Sequence, residues 1–254
     1  MNDTWNPNNL YLVNNKIEGD FLSTKERIEI ISCGPGLTEV NSQCGRSSDW
    51  LSNLINNDSY RIDKINAYKS EMPTLSEKVV WIILGSKHSV YDSYQWISNL
   101  KSKILDAIQI NIPMLGICFG HQIILSALGA KVVKNKKGWE IGSSKISLTG
   151  KGVESRLFKG IEKKMIVYES HQDTVTELPR NISVLANNSY GLQSFSYGEN
   201  TFGVQFHPEF NSQIMSSYMF VRSKTIKNIN NFTVSEVNSG RKVVSNFIEL
   251  NFRR

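Results

Sequence analysis

The chain has 254 residues, of which 40% are hydrophobic and 20% charged, and its net charge at pH 7 is +6. This length fits one α/β domain or two small ones, and the composition is typical of a globular protein with a core. No run approaches the roughly 20 apolar residues that a membrane-spanning helix needs. The N-terminus also lacks a basic-then-apolar signal pattern. We therefore predict a cytoplasmic protein without a membrane partner.

The excess of basic residues and the cysteines exclude two further classes. Lysine and arginine are scattered, with the densest cluster at residues 134–137. Proteins that bind a phosphate backbone concentrate such charge in a patch or stripe, so we expect no nucleic-acid partner. The cysteines are three and far apart, and Cys33 and Cys44 have no His or Cys at ligand spacing. This argues against a disulfide framework and a zinc site, and we predict no metal or cofactor.

The first half of the chain alternates between strand and helix patterns. Residues 1–25 have no clear period and are predicted to form an N-terminal extension. The continuous apolar run Val79–Leu84 is typical of a strand buried on both faces. This order predicts an α/β fold with an open, mostly parallel twisted sheet and helices on both faces. Strands are predicted at 27–32, 79–84 and 113–117, and helices at 49–56, 96–109 and 120–128, the last ending at Gly129.

The second half contains mostly short strand patterns with few helices between them. The sequence Gly198-Glu199-Asn200 resembles a hairpin turn, which predicts an antiparallel portion added to the sheet. From Asn211 onward the pattern becomes helical, so 212–254 is predicted to be a helical segment. No repeat or low-complexity linker is visible, and we predict one domain over 26–254. The strands are predicted at 145–148, 164–168, 183–186, 192–197 and 201–206.

The strongest local signal surrounds Cys118, where a buried strand ends and a helix begins. Gly116 and Gly120 flank it and remove side chains that would clash in a sharp strand-to-helix turn. Such a nucleophile elbow carries Ser in many hydrolases. A thiol at a helix N-terminus also lies in a positive field that favours the reactive thiolate. A lone Cys is usually a buried core thiol, but the turn glycines and the partners downstream favour a nucleophile.

Those partners lie in the His207-Pro208-Glu209 sequence. Proline favours an extended conformation for His207, and residues two apart in an extended segment project to the same side. Glu209 is therefore placed to hold one ring nitrogen of His207, which leaves the other for proton exchange with Cys118. Taken alone, the motif is equally consistent with a turn that carries a surface histidine.

A nucleophile of this kind also needs donors for the oxyanion. The backbone N–H of Phe119, directly after Cys118, is predicted to be the first. Gly85 follows a neighbouring buried strand, at the sheet edge where α/β proteins bind ligands, and is predicted to supply the second.

Three blocks of the chain together resemble the class I (Cys–His–Glu) glutamine amidotransferase family. They are Gly116–Gln122, Ser170–Asp173 and His207–Glu209, in the order and spacing of that family, and the resemblance extends over 27–211. It implies a flavodoxin-like amidotransferase fold. The segment Val90-Tyr91-Asp92 resembles a free-standing branch related to the amidotransferase part of GMP synthetase.

The resemblance also implies roles for individual residues. Cys118 would attack the carboxamide carbon of glutamine and form a γ-glutamyl thioester. His207, oriented by Glu209, would protonate the ammonia and then activate water. Gln122 would contact the substrate, and His171-Gln172-Asp173 would help to hold its α-amino and α-carboxylate groups. From the residues alone, Asp173 suits an ammonium group or begins a loop, and His171 competes as a general base.

The chain departs from the family at two places. Leu84–His88 stands where synthetase-linked members carry a Gly-Gly-Pro-type loop, and Gln172 stands where the related synthetases have Gly. There is also no phosphate-binding Gly-x-x-x-x-Gly-Lys-Ser/Thr loop. Any use of the released ammonia would therefore require a separate synthetase subunit.

Three functions are consistent with these observations. The first is a free-standing glutamine amidotransferase-type enzyme that hydrolyses glutamine. The second is a γ-glutamyl hydrolase or peptidase, which differs only in the leaving group, so the room around Cys118 discriminates between them. The third is a catalytically silent binding or regulatory protein, against which the complete set Cys118, His207 and Glu209 argues.

Overall fold

The computed structural model describes residues 26–55 and 58–252 and has an α/β architecture. The N-terminal extension predicted for 1–25 lies outside the described residues. No helix in the described part is both long and apolar enough to span a membrane. The strands are β1 Glu26–Ser32, β2 Tyr60–Asn66, β3 Val79–Ile83, β4 Met114–Ile117, β5 Lys131–Lys134, β6 Glu140–Leu148, β7 Lys164–His171, β8 Asp173–Glu177, β9 Ile182–Asn188, β10 Gly191–Tyr197 and β11 Thr201–Val204.

Seven helices accompany these strands in the described residues. They are α1 Thr38–Cys44, α2 Ser47–Ile55, α3 Gln95–Gln109, α4 Phe119–Ala127, α5 Gly150–Glu154, α6 Ser212–Arg222 and α7 Lys242–Phe252. Short 3₁₀ turns lie at Ala67–Lys69, Arg156–Phe158, Ile229–Asn231 and Ser239–Arg241.

One large sheet has the strand order β2-β1-β3-β4-β11-β10-β9-β6-β7. The strands from β2 to β11 in this order pair in parallel, and those from β11 to β7 pair antiparallel. The predicted α/β sheet with an added antiparallel portion is therefore confirmed. The turn at 198–200 joins β10 and β11 as a hairpin, with Gly198 at φ 59°.

Alternate side chains of the parallel strands pack into cores on opposite faces of the sheet. Val80 and Ile82 pack with α2 and α7, whereas Trp81 and Ile83 pack with α3 and α4. Both faces are covered, as the continuous apolar run 79–84 predicts. The carboxyl ends of β3, β4 and β11 consequently meet at one edge of the sheet.

The sequence patterns missed α1, α5, β2, β5 and β8. Edge strand β2, Tyr-Arg-Ile-Asp-Lys-Ile-Asn, has no fully buried residue, so it shows no apolar run. Small strands β5 and β8 pair only with each other. The strand predicted at 201–206 ends at Val204. The helix predicted at 49–56 would end at Asn56, which lies outside the described residues.

Helix α4 crosses strand β3 at unusually short range. A Cβ atom added to Gly120 would lie 2.0 Å from the carbonyl oxygen of Ile83. A Cβ atom added to Gly116 would lie 2.4 Å from the carbonyl of Gly120. Backbone atoms on both sides leave no flexible side chain that could move away, so this crossing requires glycine at both positions.

We expect Gly120→Ala to lower the free energy of unfolding by at least about 1–3 kcal/mol, because the added methyl group would force α4 away from β3. Urea unfolding measures this difference. Gly150→Ala is the matched control, since nothing lies within 4 Å of a Cβ there, and it should be neutral or stabilising by up to about 1 kcal/mol. Equal stability of the two variants would contradict the close crossing.

Candidate active site

Cys118 occupies the turn between β4 and α4 in a strained conformation. Its φ of 53° and ψ of −103° are rare for a residue with a side chain. Its N–H donates to the carbonyl of Val204 at 2.9 Å, and its carbonyl accepts the N–H of Gln122 at 3.1 Å. The predicted strand-to-helix elbow is therefore present, with the thiol largely buried at the start of the helix.

His207 and Glu209 form a buried pair beside this thiol. Nδ1 of His207 lies 2.8 Å from Oε1 of Glu209, and the imidazole stacks on the ring of Phe210 with a centroid distance of 4.1 Å. A Cβ added to Gly85 would lie 3.1 Å from Cε1 of His207 and 3.9 Å from Sγ of Cys118. The absence of a side chain at Gly85 thus allows imidazole and thiol to approach each other.

The charge of His207 depends on its neighbours. Burial lowers the pKa of this imidazole, but the negative charges of Glu209 and Cys118 outweigh burial and raise the pKa to about 10. Nε2 of His207 is buried without a hydrogen-bond partner. The structure therefore leaves a charged N–H on the Cys118 side of the ring free to transfer its proton.

The two predicted oxyanion donors lie next to Cys118. Phe119 is the first residue of α4, where backbone N–H groups have no acceptor within the helix. Gly85 follows β3, and a Cβ added to it would lie within 4 Å of both Cys118 and His207. The role of both residues as donors stays a prediction.

Gln122 and Asp173 meet on the other side of Cys118. Nε2 of Gln122 donates to the backbone carbonyl of Asp173 at 3.2 Å and to Oε1 of Gln205 at 3.0 Å. The carboxylate of Asp173 accepts from the hydroxyls of Ser89 and Tyr91 at 2.5 and 3.1 Å. These bonds fix both side chains, and a carboxylate has room for further donors.

His171 is held by its own partners. Nε2 lies 3.0 Å from Oε2 of Glu140 and 3.3 Å from Oε2 of Glu169, and Nδ1 lies 2.9 Å from the carbonyl of Asp173. Burial lowers the pKa of His171, but hydrogen bonds and charges of the two glutamates raise it well above the ordinary value. Both nitrogens are paired, so the ring fixes the Ser170–Asp173 block and is unsuited to act as general base.

Glu140, Glu169 and His171 also bring three metal-ligating atoms within 4.8 Å of one another. Burial, and then the charge of Glu140, raises the pKa of Glu169 to about 7. An imidazolium between two carboxylates has no lone pair to offer a cation. The cluster is therefore accounted for as an ion-pair network that anchors the block.

Cys118 lies between two lobes of one cleft. The Gln122 lobe, with a volume of about 380 Å³, is lined by Ser89, Gln122, Trp139, His171, Gln172 and Asp173. The Leu37 lobe, of about 520 Å³, is lined by Gly34, Leu37, Ser47, His207, Phe210 and Tyr218. Both volumes include space open to solvent, and both lobes share Ser86, Lys87, Cys118, Ser170 and Arg222.

A family model described as "Glutamine amidotransferase class-I" matches residues 29–224. The chain belongs to this family. It is 34% identical over 161 residues to Gamma-glutamyl peptidase 4 of Arabidopsis thaliana, covering 62% of this chain and 63% of the relative. It is 41% identical over 103 residues to a subunit of the glutamine-hydrolyzing GMP synthase of Pyrococcus abyssi, covering 40% of this chain and 53% of the relative. The chain thus spans less than two thirds of either relative.

A solved structure shares the fold of this amidotransferase-family chain. A glutamine amidotransferase from Thermotoga maritima superposes with a TM-score of 0.67, covering 89% of this chain and 93% of that chain at 22% identity. At this identity the likeness shows the fold alone.

Sequence reasoning missed several residues of this amidotransferase-type cleft. Glu140 lies on β6 and meets His171 of β7 through antiparallel pairing, whereas Glu169 precedes His171 by two residues on β7 itself. Arg222 is the last residue of α6, in the segment for which the sequence indicated only helix. None of the three has a local motif, so only the folded chain could identify them.

We expect Glu209→Gln to lower the pKa of His207. Burial lowers this pKa, and the variant removes one of the two negative charges that raise it. In the wild type, the His207–Glu209 pair makes its full contribution to the free energy of unfolding below pH 6.5. This contribution is lost as the pH rises towards about 10, the pKa of His207 in the folded state. NMR titration of the imidazole, together with urea unfolding at pH 6 and pH 10, measures both effects. The difference in stability between wild type and variant should shrink at pH 10.

The exposed Glu199 provides the control for this experiment. Glu199→Gln removes the same charge from the hairpin turn between β10 and β11. It should leave the pKa of His207 unchanged. An unchanged pKa in Glu209→Gln would instead contradict the pairing.

Proposed function

We infer that this chain hydrolyses the γ-amide bond of glutamine or a γ-glutamyl compound through a thioester on Cys118. The observation that carries this proposal is His207, fixed by Glu209 at 2.8 Å, with its second nitrogen free beside a thiol on a strained elbow. A nucleophile, a base and an orienting carboxylate in this arrangement are suited to acyl transfer. A catalytically silent protein would have no need for the strained Cys118.

The geometry suggests a sequence of steps for acylation. The Cys118 thiolate attacks the carbonyl carbon, and the resulting oxyanion accepts N–H groups of Phe119 and Gly85. The charged His207 then donates its Nε2 proton to the departing nitrogen as the C–N bond breaks. The products of this half-reaction are ammonia or an amine and the γ-glutamyl thioester.

Deacylation uses the same groups in reverse. Neutral His207 takes a proton from water, and the hydroxide attacks the thioester carbon through a second oxyanion. The C–S bond breaks, the product acid leaves and releases its γ-carboxyl proton to solvent as glutamate, and thiolate and imidazolium are restored. Glu209 stabilises the imidazolium at both stages, because it stays bonded to Nδ1.

The two lobes support a proposal for the side on which each half of the substrate binds. The acid that protonates the leaving nitrogen must lie on the leaving-group side, and His207 lines only the Leu37 lobe. The acyl half then occupies the Gln122 lobe with Asp173, which favours the predicted roles of Gln122, Gln172 and Asp173 there.

The lining of the Leu37 lobe supports a second candidate, a γ-glutamyl peptidase. The lobe opens to solvent beside Cys118 and has an apolar wall of Leu37, Phe210 and Tyr218. Ammonia has no apolar surface to pack against this wall, whereas the side chain of an amino-acid or peptide leaving group does. Under the first candidate, a separate synthetase subunit would cover this lobe and receive ammonia.

Cys118→Ala should abolish amide hydrolysis and covalent labelling by 6-diazo-5-oxo-norleucine, because the variant lacks the thiol that forms the thioester. Mass spectrometry of the labelled protein and an ammonia assay measure the two effects. Cys44→Ala is the control, since this thiol lines neither lobe, and it should retain both. Labelling that persists in Cys118→Ala would overturn the proposal.

A substrate panel separates the two candidates: glutamine, γ-glutamyl dipeptides and γ-glutamyl amines, scored by kcat/KM for released ammonia or amine. We expect the larger leaving groups to be preferred. Ser47→Phe narrows the Leu37 lobe and should reduce kcat/KM for the dipeptides by about tenfold or more while sparing glutamine. Preference for glutamine in both proteins would instead favour the amidotransferase.

A further inference from the structure

Arg222 extends from the end of α6 to the boundary between the two lobes. Its guanidinium carbon lies 4.4 Å from the centroid of the Trp139 ring. Trp139 lines the Gln122 lobe and not the Leu37 lobe, so the guanidinium lies towards the Gln122 lobe. This places a cation beside Cys118 on the side where the acyl half of the substrate would bind.

The guanidinium of Arg222 has no carboxylate partner in the described part of the chain. Among residues 26–55 and 58–252 no carboxylate forms an ion pair with it, and its Nε is buried without a hydrogen-bond partner. The negative charge of Cys118 does not outweigh burial, which lowers the pKa of this guanidinium. A buried donor without a partner is unfavourable unless something else binds it, so Arg222 is suited to bind the carboxylate of a ligand.

The opposite charge is available in the same lobe. The carboxylate of Asp173, oriented by Ser89 and Tyr91, faces the lobe. One carboxylate and one guanidinium in a single lobe match the ammonium and carboxylate of an α-amino acid. Arginine suits the second task because its planar fork binds a carboxylate through two parallel hydrogen bonds, and stacking on Trp139 holds that fork in place.

We propose that Arg222 binds the α-carboxylate of the γ-glutamyl group, opposite Asp173, and so makes the site specific for γ-glutamyl rather than other acyl amides. This rests on the proposed function, since it takes the Gln122 lobe as the acyl side. Arg222 is a specificity-determining residue that contacts the substrate away from the reacting bond. The exposed Lys87, which also borders both lobes, is the competing cation.

Three p-nitroanilides test the assignment, because their leaving group carries no carboxylate. The γ-glutamyl anilide has both α groups, the glutaryl anilide lacks the α-amino group, and the 4-aminobutanoyl anilide lacks the α-carboxylate. Arg222→Gln should reduce kcat/KM for the first two by about 10- to 100-fold, the size of a lost charge-assisted hydrogen bond. It should leave the 4-aminobutanoyl anilide unchanged, and Arg222→Lys should restore part of the loss.

Lys224→Gln is the matched control. Lys224 lies two residues further along, is largely exposed, and forms an ion pair with Glu39 at 3.9 Å. It should behave as wild type on all three anilides. A uniform loss across the anilides in Arg222→Gln would indicate a structural role and overturn the proposal. A loss of kcat/KM confined to substrates with a carboxylate on the leaving group, such as γ-glutamylalanine, would also overturn it. The same would follow if Lys87→Gln, and not Arg222→Gln, lowered kcat/KM for the γ-glutamyl and glutaryl anilides alone.

A binding measurement separates this proposal from the proposed function. In the Cys118→Ala background, calorimetry should show that glutamate binds and that Arg222→Gln weakens it by about 10- to 100-fold. The affinity for 4-aminobutanoate, which lacks the α-carboxylate, should not change. Selective binding without turnover in wild type would contradict the hydrolase and keep the role of Arg222. If wild type turns the substrate over but Arg222→Gln weakens glutamate and 4-aminobutanoate equally, the hydrolase is supported and the role of Arg222 is contradicted.

Discussion

The close crossing of helix α4 over strand β3 is the constraint on which the rest of the site depends. Gly120 brings the first turn of α4 against the carbonyl of Ile83, and Gly116 allows β4 to pass beneath the same turn. Because β4 ends at Ile117 and α4 begins at Phe119, one residue is left to reverse the chain, and Cys118 adopts a positive φ of 53°. The packing of the helix thus maintains the strain and aims the thiol outward from the sheet edge.

Pairing within the sheet then brings the remaining groups to this thiol. Strand β11 lies parallel to β4, so Val204 pairs with Ile117 and accepts the N–H of Cys118. The chain that continues past β11 must therefore emerge beside the elbow, and His207 does so three residues later. Strand β3 ends on the other side of β4 and places Gly85 there. The chain segments that follow β4, β11 and β3 thus contribute the Cys118 thiol, the His207 imidazole and Gly85, which has no side chain to separate the two.

The sequence predicted the parts of this site that rest on local rules. The Gly-x-Cys-x-Gly turn and the spacing of His207 and Glu209 are short-range patterns, and the structure places these residues together. Glu140 could not be predicted, because its contact with His171 spans two antiparallel strands whose register no local pattern specifies. Arg222 was missed for a similar reason, since a terminal arginine on an amphipathic helix is usually exposed to solvent and only tertiary packing directs it over Trp139.

The two buried histidines that line the cleft, His171 and His207, show how the same combination of burial and nearby carboxylates gives different properties. Both are buried, and in both the charge of nearby carboxylates outweighs burial and raises the pKa. His171 has each nitrogen within bonding distance of a partner, so its charge holds the Ser170–Asp173 block rigidly against β6. His207 has one nitrogen paired and the other free, so its proton is available. The number of partners, rather than the pKa, therefore separates an anchoring cation from a proton donor.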